Sequence, residues 1–232
     1  MLVEAGWRIL PNYPERLSAR ARDTLAELGV KVATECMVTG VDPERVVVQR
    51  RGRPIRIPAH TVLWAAGNKA SPLGRILATR TGAQLDSAGR VVVAPDLSLP
   101  DHPEILVLGD MAHCSGRNGE PLPGVAPIAV QQGTYAAKLV KARLAGKKRT
   151  PFRYRDLGTM ATIGRAAAVA DIGPLHFSGL PAWLAWLFVH LMKLVAFENR
   201  LLVLLQWMWS YLTWNRSARL ITGPSPFRAQ DE

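Results

Sequence analysis

Two neighbouring stretches decide how this chain reads: Ile105-Leu-Val-Leu-Gly-Asp-Met-Ala112 and, after a loop rich in Gly and Pro, Gly124-Val-Ala-Pro-Ile-Ala-Val-Gln-Gln-Gly133. The first predicts a short buried strand ending in the pair Gly109-Asp110. The second predicts a helix from about Pro127 to Ala145. Pro127 suits the first helical turn, because the N–H that it lacks would have no intrahelical partner there. A carboxylate at a strand end, followed by a helix N-terminus, is how many α/β proteins meet a large polar cofactor.

Upstream, Thr61-Val-Leu-Trp-Ala-Ala-Gly67 predicts a buried strand running into a glycine, where the backbone can pass close to something bulky. Residues 68–104 are loop-rich, with one strand at Val91–Val93. The chain opens with a strand through Leu2 and Val3 that ends at Glu4. In a dinucleotide-binding unit an acid in that position, about 20 residues after a Gly-rich loop, holds the ribose hydroxyls. The alternative for Glu4 is an ordinary surface carboxylate. Apolar residues at Leu17, Ala21, Leu25 and Leu28 predict a helix over 18–28, closed by Gly29. Val30–Val32 predicts a strand, and Val46–Val48 with Ile55–Ile57 a hairpin turned at Arg50–Arg53. Downstream, Met160–Ile163 and Ala167–Ile172 predict a second hairpin about Gly164.

Composition narrows the partners. A net charge of +11 favours anionic lipid or phosphate-bearing cofactors. No basic run is interleaved with aromatics as a nucleic-acid platform requires, so no nucleic-acid partner is expected. Cys36 and Cys114 stand far apart and form no C-x-x-C, which weighs against a disulfide framework, a zinc ribbon and a dithiol centre. No metal site is expected, and nothing at Met1 resembles a secretory signal.

The tail changes character. Leu180–Phe197 is apolar except for His190 and Lys193, Glu198-Asn-Arg200 interrupts, and Leu201–Trp214 is apolar again. Five of the seven tryptophans lie here: Trp183, Trp186, Trp207, Trp209 and Trp214. Each run is marginal for a span, which needs about 20 apolar residues. With Arg200, Arg216 and Arg219 flanking them, the runs predict a pair of amphipathic helices lying in one leaflet. A hydrophobic subdomain or a homodimer interface is the alternative. His190 and Lys193 are expected to snorkel or to pair with carbonyls.

With these residues assembled, the chain resembles the type II NADH dehydrogenases. These are flavoproteins of the pyridine nucleotide-disulfide oxidoreductase superfamily that pass electrons from NADH to membrane quinone without pumping protons. The resemblance rests on Leu2–Gly6 with Ile9–Pro11, Val62–Gly67, Leu108–Ala112, Ala126–Gln131, Phe152–Tyr154, Gly158–Gly164 and Asn199–Trp207. It implies an α/β fold, part of a flavoprotein with two Rossmann-like dinucleotide-binding domains, and a C-terminal amphipathic helical membrane anchor. Glu4 takes the ribose of NADH, Asp110 the ribityl chain of FAD. Ala66, Gly67, Gly109, Ala126, Pro127 and Ile128 border the cofactor. The family's quinone pattern, Ala-Gln-x-Ala-x-Gln, stands here with Pro127 in place of the first glutamine, leaving Ala129 and Gln131 for the quinone, Gln131 as the catalytic orienter. Trp183, Trp186, Arg200, Trp207, Trp209 and Trp214 form the anchor.

No G-x-G-x-x-G occurs in these residues, so the chain is expected to be a C-terminal fragment of the enzyme, inactive alone. The expected divisions are 1–65 for the end of the NADH domain, 66–150 for the end of the FAD domain, 151–176 for a linking hairpin and 177–232 for the anchor. The expected place is the cytoplasmic face of the inner membrane, peripheral and monotopic. Two rivals stand beside this reading. A sulfide:quinone oxidoreductase, or another FAD-dependent reductase of the fold, would need reactive cysteines near the flavin. A non-catalytic membrane-bound remnant would need only the tail.

Overall fold

The computed structural model describes residues 1–67, 69–116, 118–147, 150–194 and 197–213. The chain divides into two compact units: the first holds 1–38, 49–53 and the chain from Gly158, the second 39–48 and 54–157.

In the first unit, β1 (Leu2–Val3) pairs in parallel with β2 (Val32–Ala33), Leu2 opposite Val32. The crossover carries α1 (Glu15–Glu27), which begins three residues before the expected start because Pro14 stands at its N-cap. Leu17 and Ala21 are buried with Ile9 and Tyr13, while Leu28, expected on the same stripe, is the exposed C-cap residue. Gly29 closes the helix at φ +79°, where a residue with a Cβ would be strained.

The expected hairpin is present and gains a third strand. β8 (Thr159–Gly164), β9 (Ala167–Ile172) and β10 (Leu175–Gly179) form an antiparallel sheet with β9 in the middle. Successive β9 side chains face opposite sides. Val169 joins the α1 cluster, and Ala168 and Ala170 join Ala182 of α4 (Leu180–Lys193). Small residues on that face let α4 pack against the sheet. Tyr13 Oη is 2.9 Å from Thr159 Oγ1, tying the loop before α1 to β8. Burial pushes the Tyr13 phenol up.

The second tail helix, α5, runs from Phe197 to Thr213. Glu198-Asn-Arg200, expected to interrupt the apolar tail, is instead the first turn of α5, where an acidic residue favours the helix dipole. No helix among the described residues is long and apolar enough to cross a membrane.

The residues of one three-stranded sheet are divided between the two units. Its order is β3 (Met37–Val41), β4 (Arg45–Arg50), β5 (Arg53–Pro58). The β4–β5 turn has Arg51 at φ +51° and Gly52 at φ +77°, as a two-residue hairpin turn of the I′ kind requires. Strand β3 has no counterpart in the sequence reading, because Met37-Val-Thr-Gly-Val41 carries a glycine and a weak apolar signal.

In the second unit, the expected buried strand at 61–67 does not form. The segment joins no sheet, and Leu63 is 91% exposed. An apolar run makes a strand only where a neighbouring strand accepts its N–H and C=O groups, and no described strand lies alongside. Within the stretch read as loop, α2 (Leu73–Thr81) forms between Pro72 and Gly82, the latter at φ +72°. Strand β6 (Val91–Val92) pairs in parallel with β7 (Ala112–His113). The Gly-Asp pair therefore does not end a strand: Gly109–Met111 is a 3-10 turn that precedes β7. Helix α3 (Ala126–Leu144) follows. Val91, Leu99, Val107 and Ala112 form the core.

Asp86 organises the turn before β6. Its Oδ1 accepts the Ala88 and Arg90 N–H groups, and its Oδ2 accepts Arg90 Nε at 2.7 Å and lies 2.9 Å from His113 Nδ1. Burial opposes the charge, but the bonds from His113 and Arg90 outweigh it and hold the carboxyl well below its usual range. A depressed folded-state pKa stabilises above the ordinary carboxylate range and is lost as the pH falls through the folded value. Asp86→Asn is expected to lower stability by about 2 kcal/mol at pH 7, with the gap narrowing below about pH 4, read by urea titration at both pH values.

Candidate functional site

The second unit gathers the Gly-Asp turn and the start of α3. Gly109 adopts φ +65°, which only glycine takes without strain, and its N–H donates to Gln132 Oε1 at 2.6 Å. Asp110 is exposed, and its side chain lies against Gly124: a Cβ added there would stand 3.2 Å from Asp110 Oδ1. Two residues later α3 begins. Its N-cap, Val125, offers no side-chain bond, Pro127 sits in the first turn, and no acidic residue lies there. Pro127 has no N–H, and the Ile128 N–H donates to Val125 O at 3.0 Å, so the helix start presents the Ala126 N–H and about half a positive charge. Of the other residues expected beside it, Ile128 is buried, and Ala129 faces the Gly109 backbone, its Cβ 3.5 Å from where a Gly109 Cβ would be. Ala66 and Gly67 lie in the exposed unpaired segment, where Ala66 O accepts Trp64 Nε1. Gly67 has φ +72° and no neighbour within 4 Å of an added Cβ.

Gln131 is engaged. Its Nε2 donates to Arg155 O at 2.9 Å, and its Oε1 accepts Arg155 N–H at 3.0 Å. One turn on, Tyr135 Oη donates to Thr150 O, and its ring meets Phe152 edge-on at 5.5 Å. Gln131 and Tyr135 therefore clamp the segment 150–155 along one side of α3. Phe152 N–H is held from the other direction by Pro95 O, at 2.7 Å. Burial, with Asp156 adding to it, pushes the Tyr154 phenol up.

The residue that sequence reasoning missed is Gln132, 1% exposed. The signal was present: Ile128, Gln132, Ala136 and Leu139 recur at helical spacing, and all four are buried. Both cysteines are free and buried. Burial pushes the Cys114 thiol up, opposed by a hydrogen bond from Gln132. That is the reverse of the lowered pKa that a reactive cysteine needs.

In the first unit, Glu4 Oε1 accepts the Gly6 N–H at 2.8 Å. Its neighbour Arg8 donates to Pro11 O at 2.7 Å and stacks over Trp7. The tail tryptophans differ in kind. Trp186 stacks on Trp207 at 5.9 Å and on His190 at 4.3 Å, and Trp183 meets Tyr211 at 4.9 Å. Arg200 Nε donates to Leu194 O, capping α4, and His190 Nδ1 bonds Trp186 O, the carbonyl pairing expected of it. Trp209 is 64% exposed. With Leu201, Leu205, Met208 and Leu212 it forms an exposed apolar stripe on α5, and Leu184, Phe188 and Met192 are exposed on α4. Trp214, Arg216 and Arg219 lie outside the described residues.

The chain is 42% identical over 231 residues to the type II NADH:quinone oxidoreductase Ndh of Mycobacterium tuberculosis, covering 98% of this chain and 49% of that protein. It is 39% identical to NdhA of the same organism, covering 96% and 47%. The chain thus spans about half the length of the curated relatives it matches. Among solved structures, NDH2 from Plasmodium falciparum in complex with NADH superposes with a TM-score of 0.76 at 15% identity, covering 90% of this chain and 57% of that one, a likeness of fold. The NDH2 C-terminal domain matches residues 157–214. With the pyridine nucleotide-disulphide oxidoreductase model matching residues 1–133, the chain belongs to that family.

Proposed function

We propose that this chain carries the flavin- and quinone-facing part of a non-electrogenic NADH:quinone oxidoreductase, peripheral on the cytoplasmic face of the cell membrane. The observation that carries the reading is the Asp110 side chain seated on the Gly124 backbone, just before the uncapped start of α3. These residues fit FAD. Asp110 offers an acceptor for ribityl hydroxyls, a charge-assisted bond stronger than a neutral one. The first turn of α3, bordered by Ala126, Pro127 and Ile128, offers the Ala126 N–H and the positive end of the helix dipole to an electron-rich edge of the flavin ring. Gly109, Ala66 and Gly67 border the same cofactor. When bound, the flavin supplies two-electron transfer between nicotinamide and quinone.

Glu4 uses one oxygen on Gly6 and offers the other to the ribose hydroxyls of NADH. A carboxylate there repels a 2′-phosphate, and Arg8 is turned to Pro11 and Trp7, which favours NADH over NADPH. Ala129 and Gln131 border the quinone. Because both ends of the Gln131 amide hold the Arg155 backbone, Gln131 acts by placing the segment 150–155 beside the quinone path. The apolar stripe of α4 and α5, centred on Trp209, lies on anionic lipid, while Trp183, Trp186, Trp207 and Arg200 set the pose of the two helices.

Expressed alone, the 232 residues are expected to carry no stoichiometric FAD and no NADH oxidation. Fused behind the remaining N-terminal part of the M. tuberculosis relative, they are expected to take up FAD, and Asp110→Ala to lower its retention about tenfold. Unchanged flavin absorbance in that variant would remove the Asp110 role. In the same fusion, Gln131→Ala is expected to slow quinone reduction about tenfold while leaving flavin reduction by NADH near normal; stopped-flow traces showing equal loss of both half-reactions count against it. Vesicles containing anionic lipid are expected to sediment the chain, and Trp209→Ala with Leu212→Asp to weaken that binding about tenfold. Unchanged sedimentation, with a dimer that dissociates in the double variant, would assign the stripe to a second copy.

A further inference from the structure

Among the described residues the buried polar side chains are Ser18, Ser98 and Gln132. Gln132 is the largest of these, and a buried amide is costly unless both of its ends are bonded. Its oxygen accepts the Gly109 N–H at 2.6 Å, and its side chain lies near the Cys114 thiol. Gly109 opens the 3-10 turn directly before Asp110, and Cys114 follows β7. Helical side chains lean toward the helix N-terminus, so Gln132 reaches back past Ala129 to the turn.

We propose that Gln132 is the positioning residue of the cofactor turn: by holding the Gly109 N–H it fixes the backbone from which the Asp110 carboxylate projects against Gly124. The inference deepens the flavin reading and rests on it for its consequence, but the grip itself is testable without flavin.

The test is amide hydrogen exchange, followed by NMR on the 232-residue chain, with Gln132→Leu, Gln132→Glu and Cys114→Ala. Gln132→Leu removes the acceptor, and Gln132→Glu retains it. Exchange at Gly109 is expected to rise about tenfold in Gln132→Leu and to stay near the wild-type rate in Gln132→Glu and Cys114→Ala. The amides of Val92 and Val107, which report the nearby core, are expected to be unchanged throughout. Unchanged Gly109 exchange in Gln132→Leu overturns the proposal. If Gln132→Leu loosens Val92 and Val107 as well, Gln132→Glu decides: protection there upholds the grip, and exchange as fast as in the leucine variant overturns it. In the fused protein, Gln132→Leu is expected to lower FAD retention as Asp110→Ala does, with Gln132→Glu restoring it. Full retention in Gln132→Leu while Asp110→Ala loses FAD overturns the positioning role. Full retention in Asp110→Ala, with Gly109 still exposed in Gln132→Leu, removes the flavin assignment and upholds the grip on the turn.

Discussion

Two adjacent glutamines on one helix hold the second unit in its working shape. Successive side chains leave an α-helix about 100° apart, so Gln131 and Gln132 cannot address the same neighbour. Gln132 turns inward and accepts the Gly109 N–H. Gln131 turns to the Arg155 backbone, forming a two-bond pair with its N–H and C=O. Helix α3 is thereby fixed on one side to the turn that presents Asp110 and on another to the segment 150–155. Its first turn stays free of caps and acids, which keeps its positive end available for a ligand.

Around that helix the core is modest, and half-buried polar contacts share the work. Asp86 collects Arg90, His113 and two backbone N–H groups, fixing the turn into β6 and, through His113, the strand that follows Asp110. Arg90 also donates to Leu122 O, within the loop that leads to Gly124. The two segments flanking the site are thus tied by one carboxylate. Charge-assisted bonds of this kind are short and directional, which suits them to setting the course of loops that apolar packing leaves undetermined.

The first unit solves a different problem, a tail with more apolar surface than its small sheet can cover. Alanines on β9 let α4 pack closely, and stacked aromatics bring α5 to α4. Arg165 donates to the carbonyls of Ser210 and Tyr211 and stacks on the Tyr211 ring, while the Ala166 N–H donates to the Tyr211 hydroxyl. The end of α5 is therefore bound to the β8–β9 turn. What stays outward is the stripe through Trp209 and Leu212. A tryptophan count cannot make that separation, because the same ring serves equally well in a stack or at an interface.

The sequence by itself determined the elements whose signals are local: α1 with Gly29 behind it, α3 with Pro127 in its first turn, the β4–β5 turn and the two apolar tail helices. Helical periodicity, prolines at helix starts and glycines at positive φ act within a few residues, so they survive without knowledge of neighbours. It also supplied the candidate residues, Glu4, Asp110 and Gln131, through their motif. Tertiary structure decided what those motifs touch. It left 61–67 unpaired, because a strand exists only beside a partner. It moved the Gly-Asp pair from a strand end into a 3-10 turn, and it engaged the Gln131 amide with the Arg155 backbone. It also revealed Gln132, whose identity is polar but whose helical position is that of a core residue. Which of two adjacent glutamines faces inward depends on how the helix is rotated against its neighbours, and only the packed structure fixes that rotation.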